Sequence, residues 1–373
     1  MHTSTTCAVA ALAIAFLPSV ALAQQAKPQA GEKPVVNKEP AKDRADKPNI
    51  KILATGGTIA GAGAAGGYGY TSGQFKVEDL IGAVEGLDKL ADLSGEQVAN
   101  IGSQDMNDAV WLKLARRTNQ ALSDGGVDGV VITHGTDTME ETAYFLDLVV
   151  KSSKPVVLVG SMRPATAISA DGPANLYNAV ATAASKGARG RGVLVVLNDE
   201  VHSARNVIKT NTTNVQTFAS PNRGPAGYVN SGSVTWFEQM DKRHTSDSEF
   251  SANGLKALPR VDIVYAHASM DATMVEAAIK AGAKGIVVAG VGDGNMTKEA
   301  LEALTQAARK GVVVVRSTRL PGGMVMRNAE VKDDELGFVA SGELNPGKSR
   351  VLLALALTRT KDPERVQKMF RQY

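Results

Sequence analysis

Across 373 residues there is one cysteine, only 5% of the residues are aromatic, and the five histidines stand far apart (His2, His134, His202, His244 and His267). A single cysteine excludes a disulfide framework and any cysteine-ligated zinc or iron–sulfur site. No two histidines fall at His-x-x-x-His spacing, so no bound metal is expected. An excess of either charge is also lacking: 41 Lys+Arg face 38 Asp+Glu, a net +3. A dedicated nucleic-acid binder needs a basic stripe to neutralise phosphates, so that class is set aside. No apolar run is long enough to cross a bilayer comfortably. The 43% hydrophobic content is ordinary for a globular protein and excludes wholesale disorder or a fibrous chain. The length exceeds that of one ordinary domain, about 100–150 residues, and points to two.

The most apolar segment, Ala8–Val20, is followed by Ala21-Leu22-Ala23, a small-x-small cleavage pattern. Residues 1–23 read as a secretory signal peptide cleaved before Gln24, although its first residues carry no Lys or Arg. Cys7 leaves with it, so the mature chain is expected to have no cysteine. Residues 24–47 are Pro, Lys, Ala, Glu and Asp with almost no large apolar side chain, and read as a flexible tether. The mature protein is expected to be soluble, exported to the periplasm and free of any membrane span. The tether carries six basic and four acidic residues, so its net +2 leaves only +1 for the folded part.

From residue 48, short β-branched runs alternate with Ala- and Leu-rich helical stretches. Asn49–Ala54, Gly129–Thr133, Pro155–Gly160 and Gly192–Leu197 read as buried strands, and Leu112–Leu122 as an amphipathic helix. The pattern recurs in Asp262–Ala266, Gly285–Gly290 and Gly311–Arg316. This is the βαβ signature of parallel sheets covered on both faces. The expected fold class is α/β in two domains: a larger N-terminal, parallel-rich sheet flanked by helices (flavodoxin- or Rossmann-like) over 48–238, and a smaller C-terminal α/β domain over 260–373. The polar, turn-rich stretch 239–259 links them. Asp362 and Pro363 read as the cap and first position of a final helix.

Ligands of open α/β sheets sit beyond the carboxyl ends of the strands. Two strand-end loops there are Thr55-Gly56-Gly57-Thr58 and His134-Gly135-Thr136-Asp137. Glycine admits close approach of backbone N–H groups, and the threonine hydroxyls are potential nucleophiles or polar anchors. Thr138-Met139-Glu140-Glu141 has the pattern of a capping box, which places Thr136 and Asp137 at a helix N-terminus, a setting suited to a carboxylate or a developing oxyanion. The bland reading is a simple cap. Ser103-Gln104-Asp105-Met106 adds polar groups after the apolar run Val98–Ile101. Lys209-Thr210-Asn211-Thr212 adds a lysine, ordinarily a surface residue; if buried it can act as a base or hold a neighbouring carboxylate.

Taken together, these segments resemble the bacterial L-asparaginase/glutaminase family, type II (exported) branch. The match is carried by Ile52–Ala60 and Thr133–Thr142, by Ser161-Met162-Arg163-Pro164, Ser169-Ala170-Asp171-Gly172 and Asn175–Ala179, and by Lys209–Thr212, Gly290–Asn295 and Leu344-Asn345-Pro346. It spans essentially everything from residue 48 onward. The resemblance implies that Thr58 is the nucleophile, that Tyr70 in a mobile Gly-rich lid activates it, and that Thr136, Asp137 and Lys209 form a second catalytic group. It also implies substrate contacts from Gly57, Ser103, Gln104, Thr136 and Asp137, with Asp137 the main partner of the substrate ammonium. Asn295 and Glu330 match positions supplied by a neighbouring subunit, Glu330 also helping to take a proton. The implied assembly is a homotetramer of two intimate dimers, and the implied reaction is hydrolysis of L-asparagine to L-aspartate and ammonia without metal or cofactor.

Two departures qualify the resemblance. The disulfide often present in type II enzymes cannot form here. Gly292-Asp293-Gly294-Asn295 has Asn where glutaminase-leaning relatives often carry Ser, a lean toward asparagine; a single methylene discriminates by only about 1–3 kcal/mol, so weaker glutaminase activity is expected as well. Gly61-Ala62-Gly63-Ala64-Ala65-Gly66 matches a dinucleotide fingerprint literally, but it starts too far from the strand and runs into a glycine-rich stretch that does not sustain a helix. A periplasmic solute-binding protein would share the export signal and the architecture, yet it would not require the two threonines and Lys209.

Overall fold

Side chains along a buried strand point alternately to opposite faces. Asn49–Gly56 (β1) shows this directly: Leu53 enters the hydrophobic cluster on one face, while Ile50, Ile52 and Ala54 enter the cluster on the other. The computed structural model describes residue 1 and residues 47–63, 70–237 and 241–373, with Tyr70 described by its backbone only. All but the first residue of the expected signal peptide, all but the last residue of the expected tether, and the centre of the glycine-rich stretch lie outside the described residues.

β1 pairs in parallel with Asp92–Ile101 (β2) and with Gly129–Thr133 (β3). Val156–Val159 (β4) and Val193–Leu197 (β5) continue the parallel run. Glu200–Ser203 (β6), Gly227–Asn230 (β7) and Ser233–Trp236 (β8) extend the sheet antiparallel. The eight strands lie in the order β8-β7-β6-β5-β4-β3-β1-β2. Because β3, β4 and β5 are buried along their whole length, both faces need cover. Asp108–Ser123 (α1) and Met139–Val149 (α2) cover one face through Leu112, Leu114, Phe145 and Leu148, and Gly172–Ala184 (α3) covers the other through Leu176 and Val180.

The second sheet is parallel throughout, in the order Val261–Tyr265 (β9), Gly285–Gly290 (β10), Val313–Thr318 (β11) and Phe338–Ala340 (β12). Thr273–Lys280 (α4) and Lys298–Arg309 (α5) pack on one face through Val275, Ala300 and Leu304. Pro346–Ala356 (α6) and Pro363–Gln372 (α7) cover the other, and their cluster is continuous with that of α2: Tyr144, Phe145 and Leu148 share one core with Val351, Leu352 and Leu355. One hydrophobic core therefore runs between the two sheets.

The α/β class read from the sequence is the one observed. Asp362 accepts from the Glu364 N–H at 3.1 Å, with Pro363 at the first helical position. Asn107, which the sequence reading did not single out, caps α1 by accepting from the Val110 N–H at 3.2 Å. Two differences have physical reasons. β2 begins at Asp92, ahead of the apolar run Val98–Ile101, because it is an edge strand whose outer residues face solvent and need no apolar pattern. Strands β6 to β8 have no signature in the βαβ rhythm, since antiparallel hairpin strands alternate instead, as the buried–exposed pattern of β7 shows.

Candidate active site

The carboxyl ends of β1, β2 and β3 converge. The Gly57 N–H donates to Ile101 O at 3.1 Å, tying the loop after β1 to the end of β2. Gly57 has φ +83°, and a methyl group on it would come within 2.3 Å of the Gly135 backbone nitrogen. A methyl on Gly135 would lie 2.6 Å from Ser103 Oγ. The first and second loops thus meet backbone to backbone, and the Ser103 side chain closes on Gly135, which only glycine permits at these two positions.

Thr58 opens a single 3-10 turn, Thr58–Ala60, closed by the Gly61 N–H donating to Thr58 O at 2.8 Å. Its side chain sits in a niche, with 6% of the residue exposed; Thr136 is 5% exposed. Ser103 Oγ accepts the Asp137 N–H at 3.1 Å. Gln104 is exposed, on the same short turn.

Lys209 reaches this cluster from the short strand Ile208–Lys209, paired antiparallel with Phe218–Ala219. Its Nζ donates to Thr136 Oγ1 at 3.0 Å and to Asp137 Oδ1 at 2.6 Å. An ammonium has donors only, so Thr136 accepts from it and keeps its own O–H and a second lone pair for another partner. Of the two functional readings of the lysine, the structure displays the one in which it holds a carboxylate. Asp137 keeps 57% of its side chain exposed while Lys209 keeps 17%, so the carboxylate faces the opening and the amine is the better-shielded partner.

His134 is fully buried at the base of the second loop, its Nδ1 2.6 Å from Gly135 O. Burial in apolar surroundings pulls its imidazole down to about 4, and the bond to Gly135 only partly opposes this.

The capping box expected at Thr138–Glu141 is absent. Thr138 Oγ1 donates to Ser103 O at 2.7 Å, and the helix that follows has no side-chain cap. Ser103 lies alongside because β2 and β3 both flank β1, and its carbonyl, which also accepts the Met106 N–H at 3.1 Å, has a second lone pair for the hydroxyl. Glu141, the carboxylate of that box, faces Arg350 at 3.7 Å instead, and its neighbour Glu140 accepts the Lys209 N–H through Oε2 at 2.6 Å.

Asn295 and Glu330 come together separately, on the second lobe. Asn295 Nδ2 donates to Glu330 Oε2 at 2.6 Å. Among the described residues no hydrogen bond or ion pair joins them to Thr136, Asp137 or Lys209. Tyr70 begins the strand Tyr70–Thr71, which pairs antiparallel with Ala62–Gly63. Ala62–Gly63, within the described part of Gly61–Gly66, is therefore strand, not the helix opening that a dinucleotide site needs.

Sequence comparison bears on the same two lobes. The family model described as "Asparaginase, N-terminal" matches residues 49–242, and the "Glutaminase/Asparaginase C-terminal domain" model matches residues 260–370. The chain belongs to the asparaginase family. It is 56% identical over 327 residues to L-asparaginase 2 of Escherichia coli strain K12, covering 87% of this chain and 93% of the relative. It is 55% identical to a probable periplasmic L-asparaginase of Haemophilus influenzae, covering 88% and 94%, and 48% identical to a glutaminase-asparaginase of Pseudomonas fluorescens biotype A, covering 87% and 90%. The crystal structure of a probable cytoplasmic L-asparaginase from Campylobacter jejuni superposes with a TM-score of 0.85 at 48% identity, covering 88% of this chain and all of that one.

In this asparaginase-family chain the N-terminal match holds Thr58, Ser103, Thr136, Asp137 and Lys209, and the C-terminal match holds Asn295 and Glu330. The sequence reading missed the supports behind them. Lys348, fully buried, donates from Nζ to Arg205 O at 3.0 Å and to Val207 O. The only signal for it was its place just after Leu344-Asn345-Pro346.

Proposed function

We propose that the protein hydrolyses L-asparagine to L-aspartate and ammonia, with weaker activity on L-glutamine. The observation that carries the reading is the Lys209 ammonium bridging Thr136 Oγ1 and Asp137 Oδ1 beside the turn that bears Thr58. Two loops that present a buried threonine each, next to an anion, fit an amino-acid amide better than a passive ligand.

In this scheme Thr58 Oγ attacks the side-chain amide carbon, and its proton passes to Tyr70 with help from Glu330. A free hydroxyl is a weak nucleophile and needs such a base in reach. The carbonyl oxygen gains negative charge as the C–O bond forms. Gly57 and Asp137 have committed their N–H groups to Ile101 O and Ser103 Oγ, which leaves Gly135 and Thr136 as the donors for that charge from the second loop. The C–N bond then breaks and ammonia departs with the transferred proton. A water positioned by Thr136, with Lys209 assisting, attacks the acyl carbon and releases Thr58 and L-aspartate. Asp137 holds the substrate ammonium, and Ser103 and Gln104 hold its α-carboxylate and α-amino groups. No metal or cofactor enters this scheme.

Asn295 and Glu330 would complete the site of a neighbouring subunit. Their pairing with each other, apart from the Thr136–Asp137–Lys209 cluster, supports an active unit that is at least a dimer, within a tetramer of two such dimers. Residues 1–23 would direct export to the periplasm, with 24–47 as a tether, 48–238 as the catalytic domain, 239–259 as the link and 260–373 as the second domain. Thr58→Ala and Thr136→Ala should each nearly abolish ammonia release while leaving the fold intact. Stoichiometric binding of L-asparagine without turnover in the wild type would overturn the reading. Light scattering should give a tetramer, and a fully active monomer would contradict the shared site. N-terminal sequencing of the exported protein should begin at Gln24.

A further inference from the structure

Lys209 is gripped at two points by one stretch of chain. Its side chain reaches Thr136 and Asp137, and its backbone N–H is taken by Glu140, three residues beyond Asp137. Glu140 has a second partner: its Oε1 accepts from Asn345 Nδ2 at 2.6 Å. Asn345 belongs to the C-terminal lobe, where its Oδ1 caps α6 by accepting the Lys348 N–H at 3.0 Å. Lys348 then inserts its buried amine between the carbonyls of Arg205 and Val207, just upstream of Lys209. Burial pulls that amine down to about 8, and the nearby Glu140 carboxylate works in the opposite direction. The Lys209 segment is thus held to the start of α6 twice, by Lys348 at Arg205 and Val207 and, through Glu140, by the cap residue Asn345 at the Lys209 N–H.

We propose that Glu140 and Asn345 are positioning residues for Lys209, through which the C-terminal lobe sets the geometry of the Thr136–Asp137–Lys209 cluster. This rests on the role assigned to Lys209 above. Each Glu140 oxygen has one donor, and Asn345 divides its amide between donating to Glu140 and accepting from Lys348. A displacement of about 1 Å in such a support costs on the order of 100-fold in rate.

The bond chemistry dictates the test. In Glu140→Gln, one of the two donors facing residue 140 meets the new amide NH2 instead of an acceptor. In Asn345→Asp, two carboxylates face each other. In the double variant Glu140→Gln/Asn345→Asp, the new amide donates to the new carboxylate, which still caps α6, and the formal charge is unchanged. Steady-state kinetics with L-asparagine should show each single variant reduced in kcat by about tenfold or more, with KM within about threefold of wild type, and the double variant restored to within about threefold. A merely structural role would lower Tm without this reciprocal recovery of kcat. Wild-type kcat in Glu140→Gln, or a double variant no better than the singles, would overturn the proposal. Should either single variant fail to fold, Glu140→Asp, which shortens the reach by one methylene, should show the same kcat loss at near-native Tm; full activity there would overturn the proposal equally. Amide hydrogen exchange separates this from the functional reading. If the wild type released no ammonia, that reading would fail, yet the Lys209 amide should still exchange at least about tenfold faster in Glu140→Ala than in wild type. Unchanged exchange would refute the coupling itself.

Discussion

Gly57 and Gly135 lie so close that a single methyl on Gly57 would sit 2.3 Å from the Gly135 nitrogen and 2.4 Å from its Cα. This contact brings the loop bearing Thr58 against the loop bearing Thr136. Gly57→Ala faces both the backbone clash and a φ of +83°, so it should destabilise the protein by more than the roughly 1 kcal/mol of an ordinary glycine replacement. It should also remove most of the activity. Thermal unfolding and ammonia release check this; a stable, active Gly57→Ala protein would show that the loops separate without cost.

Lys209→Met removes the bridge between Thr136 and Asp137. Because Asp137 is largely exposed, the ion pair itself contributes only about 0–1 kcal/mol, and Tm should move little. Activity should fall by about 100-fold or more, the range in which positioned proton-transfer groups act. Urea denaturation beside kinetics separates the two effects, and a large stability loss with normal kcat would reverse the assignment.

How much of this was legible in the sequence depends on how local the cause is. Thr58 and Thr136 could be found because each lies on a Gly-rich loop directly after a buried β-branched strand. Lys209 was noticed beside its threonines, but nothing local told a surface lysine from a buried one, and only the family resemblance gave it a role. The Thr138 hydroxyl went unread for a different reason: its partner, Ser103 O, is on another strand's loop, so the local capping pattern misled. Glu140 and Asn345 were beyond reach, being 205 residues apart and joined only by the packing of α2 against α6.

Buried His134 should make stability sensitive to acid. Its folded-state value, about 4, lies below the usual 6.5, so the unfolded chain takes up the proton first as pH falls. The contribution is intact above pH 6.5 and is lost between 6.5 and 4, on the order of 3 kcal/mol. Asp147 opposes it: burial raises its carboxyl to about 6 from 3.8, so the folded state binds the proton first and gains stability over a similar window as pH falls. The two contributions therefore largely cancel between pH 6 and 4. Denaturant titrations should show His134→Asn gaining relative to wild type on acidification and Asp147→Asn losing. Parallel curves for all three would contradict the account.

Arg316 and Asp333 form a two-pronged ion pair with no exposed side-chain surface, at 2.6 and 2.8 Å. Arg316 also donates to Asp293 O and Met326 O, tying together the segments that lead to Asn295 and Glu330. Asp333→Ala strands a buried guanidinium and should cost about 3–5 kcal/mol. Calorimetry checks the magnitude; a loss below about 1 kcal/mol would mean the pair is relieved by water.

The central claim is hydrolysis of an amino-acid amide by Thr58. Its most direct test is ammonia release by the purified wild type, with L-asparagine and L-glutamine measured side by side and Thr58→Ala as the control. The account predicts multiple turnovers on both amides, a higher kcat/KM for L-asparagine, and near-complete loss in Thr58→Ala. Ammonia release that persists unchanged in Thr58→Ala, or its absence from the wild type with either amide, would contradict it.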